Sequence, residues 1–341
     1  MKKVALWVLA SLTVSSCTDQ PTEPPATRFS GHVVFGSVNE EGNGSIDSDV
    51  MLIDGDGNLR KISSAENCYS RRPDITRDGT KIAFSSCAQQ YNNIFIYQTD
   101  GTGVRNITND SAIEEFPRWS PDGRLLAFIS FRDGHRDIFL MTDETGEVEK
   151  VTQSDASYWI GCWTADNATL IYYGAAGIFS NQGDIYSYDL QNHTIQQLTT
   201  GIGTKMHTAI TPDGTLIAYQ RDWKLHFLSR DGSQDVRVLS APDSLREQMW
   251  WSTQGDFLVF QAYANGRWDI YRIDRDGTGL LNLTLDSFQG YTPVLSPNDA
   301  EIAYVADTHP VPKIYLMTNK GMNKRPLSKL NQREFSPSWG N

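Results

Sequence analysis

From Pro117 to Gln153 the chain reads "PRWSPDGRLLAFISFRDGHRDIFLMTDETGEVEKVTQ". Apolar residues come in short runs, several of them alternating with polar ones, and each run is cut by a cluster of Asp, Gly, Pro or Ser. Alternation with β-branched and aromatic residues between such clusters predicts strands joined by tight turns. Four strand signals follow one another here: one ending at "PRWS", then "LLAFIS", "DIFLMT" and "EKVTQ". The Asp-Gly between the first two suits a hairpin, because glycine reaches positive φ without Cβ strain. No stretch of the body sustains an apolar period near 3.6 residues with caps, so no helix is predicted.

The pattern recurs. Anchored on the first turn, the matching positions are Gly79, Gly123, Asn167, Gly214, Gly255 and Asp299, spaced 44, 44, 47, 41 and 44 residues apart. The second-strand signal occurs seven times, as "HVVFGS", "KIAFSS", "LLAFIS", "TLIYYG", "LIAYQR", "FLVFQA" and "EIAYVA"; the third also occurs seven times. The first-strand signal is missing before His32 and reappears at the C-terminus as "FSPSWGN", where Pro337 and Trp339 match Pro117 and Trp119. A four-stranded unit of about 40–45 residues is the mark of a β-propeller. The expected fold is therefore all-β: a seven-bladed propeller of four-stranded antiparallel blades over residues 32–341, its first blade closed by the C-terminal strand. Trp119, Trp163, Trp251 and Trp339 share one register slot with Ile75, Ile210 and Leu295. These residues are expected to pack against the neighbouring blade.

The phrases "PRWSPDGRLLAF", "DGHRDIFLMT" and "RWDIYRIDRDGTGLLNLT" resemble the WD-repeat-like propeller repeats of the TolB type, found in many exported bacterial proteins. The resemblance implies the fold and leaves function open, since one propeller serves many tasks. TolB itself carries an N-terminal α/β domain ahead of a typically six-bladed propeller, and this chain differs from it in both respects.

The N-terminal residues change the picture of location. "MKKVALWVLASLTVSSC" has two lysines, an apolar run from Val4 to Val14 and small residues before Cys17. That run is too short to span a bilayer, which takes about 20 residues, and reads as an export signal over residues 1–16. Small residues before a cysteine resemble a bacterial lipobox, which implies acylation of Cys17 and a lipid anchor. Residues 17–31, polar and proline-rich to Ser30, read as a flexible tether. The expected place is the cell envelope, at the outer membrane facing periplasm or exterior, as a monomer. The formal net charge of −11 argues against a nucleic-acid partner. Of the cysteines beyond Cys17, namely Cys68, Cys87 and Cys162, the register brings Cys68 and Cys87 to one face, where a disulfide would tie the first two blades.

Catalytic patterns are lacking. No G-x-S-x-G elbow or H-E-x-x-H occurs, the six histidines are scattered, and the acidic turns do not keep EF-hand spacing. No catalytic residue, metal ligand or cofactor is assigned. What remains is a surface. In propellers the connections from fourth to first strand and from second to third open on one face around the channel. The residues mapped there are Tyr69, Arg71, Arg72, Glu115, Phe116, Tyr158, Trp159, His207, Glu247, Tyr291, Arg333 and Phe335, with Glu114, Met206 and Gln248 beside them. Aromatics and arginines interleaved with carboxylates fit a recognition face for a protein partner or a cell-wall or polysaccharide ligand. The leading reading is a non-enzymatic binding scaffold. The alternative is a propeller-type lyase or hydrolase with its site at the channel mouth, near His207.

Overall fold

The computed structural model describes residues 29–40, 46–63, 70–88, 91–109, 111–153, 156–175, 182–237 and 244–341; every regular element among them is a β-strand. The export signal, Cys17, most of the tether, Cys68, Tyr69 and the side chain of Glu247 lie outside the described residues.

The strands pair antiparallel with their sequence neighbours. Arg71–Ile75, Lys81–Ala88, Tyr91–Gln98 and Val104–Asn106 form one four-stranded sheet, and Glu114–Trp119, Leu125–Ser130, Asp137–Thr142 and Val148–Lys150 form the next. Sheets of the same order cover 244–282 and 290–326. The stretch 157–237 is continuous: two four-stranded groups are joined by a short parallel bridge, Gln182 to Gly203 and Gly183 to Thr204. The remaining sheet is composite. Arg333–Gly340 pairs with His32–Glu40, placing Trp339 opposite Val33 and Ser338 opposite Val34. The displaced first-strand signal is thus hydrogen-bonded to the strand that lacked it.

The shared register slot explains how the sheets stack. Ile75, Trp119, Trp163, Ile210, Trp251, Leu295 and Trp339 are each only 5–9% exposed. Every one packs into the preceding sheet: Trp119 with Ala83 and Ile94, Trp163 with Ala127 and Ile138, Trp251 with Ala218 and Leu225. Ile210 joins Ile171 and Ile185, Leu295 joins Val259 and Ile270, and Trp339 joins Ala303 and Ile314. Ile75 meets Val34 and Val50. First strands also touch one another in chain order. Arg333–Gly340 lies against Gly290–Leu295 on one side and Arg71–Ile75 on the other.

Two polar devices recur in several of the sheets. At the first turn a Ser or Thr hydroxyl donates to an Asp two residues on, which accepts a backbone N–H beyond the turn; Thr164, Asp166 and Ala168 show it at 2.6 and 3.0 Å. The Thr164 hydroxyl and that N–H hold the Asp166 carboxyl below its usual range. The anchor positions Gly79, Gly123, Asn167, Gly214, Gly255 and Asp299 all have φ between 59° and 74°, as the turn reading required. Second, the Asp opening a third strand is tied to the Thr after the fourth. Thr152 Oγ1 donates to Asp137 (2.6 Å) and accepts Ile138 N–H (3.1 Å), and Thr284 repeats this with Asp269 and Ile270 (2.7 and 3.0 Å). Thr199 does so with Asp184 and Ile185.

The folded body starts earlier than composition implied. Phe29, assigned to the tether, donates its N–H to Gly55 O (3.3 Å) and sets its ring edge-on to Trp339 at 5.6 Å, while Ser30 O accepts the Trp339 indole N–H at 2.8 Å. An aromatic residue at the end of a polar stretch was the available signal.

Candidate functional site

The first strand of every sheet breaks its pairing at one place. The register shifts fall between Arg71 and Asp74, Glu115 and Arg118, Ile160 and Cys162, Met206 and Ala209, Arg246 and Met249, and Tyr291 and Val294. Between Phe335 and Ser338 the C-terminal strand does the same against His32–Glu40. A bulge inserts an extra residue and re-aims side chains. Inside these bulges Arg72, Phe116, His207, Thr292 and Ser336 take left-handed φ of 54°, 57°, 53°, 43° and 50°. All but His207 precede proline, which favours an extended residue before it, and Thr292 is β-branched. Gly161, in the bulge between Ile160 and Cys162, is required by space instead, since a Cβ there would meet Thr208 Oγ1 at 2.0 Å. Strain repeated at one level is a mark of a functional surface.

The bulges line a cavity of about 550 Å³. Its wall holds Arg71, Arg72, Phe116, Trp159, His207, Gln248 and Phe335 of the residues read from sequence, together with Asp74, Arg118, Tyr173, Trp250 and Thr292. The Arg72 guanidinium lies 3.6 Å from the Phe116 ring centroid. Trp159 stacks on Tyr173 at 5.8 Å and 7°, and the Tyr173 hydroxyl reaches His207 Nδ1 at 3.4 Å. Arg71 is held by Glu115 at 2.7 Å.

A deeper cavity of about 270 Å³ follows, lined by the residues just before the large apolar slot, among them Asp74, Arg118, Cys162, Trp250 and Ser338. Asp74 accepts Trp119 N–H at 2.7 Å and the Ser338 hydroxyl at 3.3 Å, with Arg118 at 3.5 Å; burial nevertheless pushes its carboxyl up. Cys162 is a free thiol, and burial raises its pKa to about 11. The thiolate is the reactive form, so Cys162 is expected to stay unlabelled by iodoacetamide at pH 8 in folded protein and to react fully in urea, read by mass. Labelling at equal rates in both would contradict this burial.

Four expected site residues sit elsewhere. Tyr158 points into its sheet, 8% exposed, between the rings of Tyr172 and Tyr186, because strand alternation that sends Trp159 to the mouth sends Tyr158 inward. Glu115 is buried beneath Arg71 as its counter-ion. Tyr291 packs on the core shared with Trp339, and Arg333 is exposed outside the cavity wall. Sequence reasoning missed Asp74, Arg118 and Trp250. Their signal was present, since each lies one residue before the buried slot and so faces the opposite way. Among the described residues no group of three His, Cys, Asp or Glu is placed to hold a metal ion. Cys87 is disulfide-bonded, its partner lying outside the described residues.

The model of the TolB beta propeller domain matches residues 41–182 and 175–341. The fold is similar to that of TolB from Acinetobacter baumannii, at 19% identity and a TM-score of 0.57 over 90% of this chain and 66% of that one. It is also similar to an oligogalacturonate lyase in complex with manganese (15%, 0.67, 89% and 86%) and to a puromycin hydrolase (11%, 0.70, 91% and 54%). No curated protein matches the sequence. Identities this low speak for the fold alone. With two family matches running through nearly all of the repeats, the chain belongs to the family of the TolB beta propeller domain.

Proposed function

We propose that this chain is a non-enzymatic envelope lipoprotein whose propeller has seven blades and binds a protein partner at the mouth of its channel. In this reading residues 1–16 direct export, Cys17 carries the lipid at the outer membrane, and the tether ends before Phe29. The blade count is supported by the common bulge and buried slot of seven first strands, the last of them completing the first sheet. The binding role rests on one observation: the bulges gather two arginines (Arg71 and Arg72), Phe116, Trp159, His207 and Phe335 around a single cavity. Such a set is typical of contact hot spots. The Cys68–Cys87 bond is part of the proposal, and peptide mapping without reduction is expected to recover the two linked.

The test is capture of partners from envelope extracts by the exported chain, in wild type and in a Trp159→Ala, Phe116→Ala variant. Both side chains are partly exposed in the wall, so folding is expected to survive. The expected result is loss of a specific partner, by roughly tenfold or more, since hot-spot truncations cost about 2 kcal/mol or more. Identical partners in both samples would overturn the assignment of this face.

A further inference from the structure

Four buried side-chain atoms in the wall of the larger cavity have no hydrogen-bond partner among the described residues: Arg71 Nε, Gln248 Oε1, Trp250 Nε1 and Thr292 Oγ1. Buried polar atoms are nearly always paired, so several around one cavity mark what it is built to receive. Two of the four can only donate, and the threonine hydroxyl can donate as well. The charges agree. The wall carries Arg71, Arg72 and Arg118 with the carboxylate Asp74, and Glu115 behind it pairs Arg71, which leaves a positive excess in a chain of formal net charge −11. A positive excess between apolar walls concentrates its field on an incoming counter-charge. The remaining wall is flat and apolar, with Phe116, Trp159, Trp250 and Phe335 among it.

We infer that this cavity binds a carboxylate carried beside a flat apolar face, the acid meeting the Arg71, Trp250 and Thr292 donors and the flat face lying on the aromatic wall. The inference rests on the reading of this mouth as the binding face and adds the chemistry of what enters it. A volume of about 550 Å³ suits a small organic acid or one or two residues of an acidic segment. Arginine favours a carboxylate because its planar fork matches the two oxygens.

Calorimetry and tryptophan fluorescence on the exported chain test it with naphthoate, its neutral counterpart naphthyl methanol, and a capped Trp-Glu dipeptide with its Trp-Gln counterpart. An acid is expected to bind about tenfold or more tighter than its neutral counterpart, as hydrogen bonds to a charged group require. Trp250→Phe, which keeps a ring and removes the N–H, and Thr292→Val, which keeps the branched shape and removes the hydroxyl, are each expected to weaken acid binding about tenfold with little change for the neutral probe. Preference for naphthoate alone assigns a free acid, and preference for the dipeptide alone assigns an acidic segment; both support the inference. Equal binding of acid and neutral forms, or acid binding unchanged in both variants, would overturn it. If Trp159-dependent partner capture persists while acids show no advantage, the ligand chemistry fails and the binding face stands. If acids bind as expected and no partner is captured, the reverse holds.

Discussion

Trp339→Ala is expected to lower the free energy of unfolding by about 3–5 kcal/mol, the range for large aromatic truncations in a packed core. Three kinds of contact meet at this side chain. Its ring packs in a cluster holding Val33, Phe35 and Met51 from one end of the chain and Val294, Ala303 and Ile314 from the other. Phe29 closes over it edge-on, and its indole N–H is bonded to Ser30 O. Removing the ring therefore leaves a cavity at the one junction where residues more than 300 positions apart must stay together. Deleting residues 333–341 is expected to go further and abolish cooperative folding, because His32–Glu40 would become an unpaired edge. Trp163→Ala, at equal burial but inside a continuous run of the chain, is the comparison. Urea unfolding in which Trp339→Ala costs less than about 1 kcal/mol would contradict the closing role.

Lys205→Met is expected to cost about 3–5 kcal/mol, the price of breaking a buried charge pair from one side. Lys205 is 1% exposed, a rare place for a lysine. Its ammonium donates to Asp184 at 3.0 Å, Gly201 O at 2.7 Å, Gly203 O at 3.3 Å and Gly183 O at 3.4 Å. These groups stand at the parallel bridge that fuses two four-stranded groups into one sheet. The methionine keeps the length of the stem, so the loss reads the charge rather than the volume. Asp184→Asn is expected to cost less, about 1–3 kcal/mol, because the amide oxygen can still accept the Thr199 hydroxyl and the Lys205 ammonium, while the Gln197 amide N–H loses its acceptor. Equal unfolding curves for wild type and Lys205→Met would show that the clamp contributes nothing.

The periodic elements were legible because their causes are local. Turn chemistry marked Gly79, Gly123 and Asn167, and alternation marked the second and third strands. The large apolar slot was recognised as core from register alone, and Trp119, Trp163, Trp251 and Trp339 are buried as that register requires. The site was half legible. Arg72, Phe116, Trp159, His207 and Phe335 were placed at the mouth by counting connections, and they share one cavity wall. Tyr158 was misplaced because adjacent residues of a strand face opposite ways, and the bulge beginning at Ile160 hides where the alternation resets. Trp250 was overlooked for the same reason. Two adjacent tryptophans read as one apolar signal, although Trp251 packs into the core while Trp250 faces the channel. The Asp–Thr ties show in the sequence only as "DIF" or "DIY" and, later, "VT" or "LT", since a hydrogen bond between residues about 15 apart has no local signature.

A crystal structure of the chain from Thr18 onward would examine radial closure with the fewest intermediaries. The account expects seven four-stranded sheets around one channel, with Trp339 opposite Val33 and the bulges of all first strands at the same end. Another number of sheets, or a terminal strand Arg333–Gly340 separated from His32–Glu40, would contradict it.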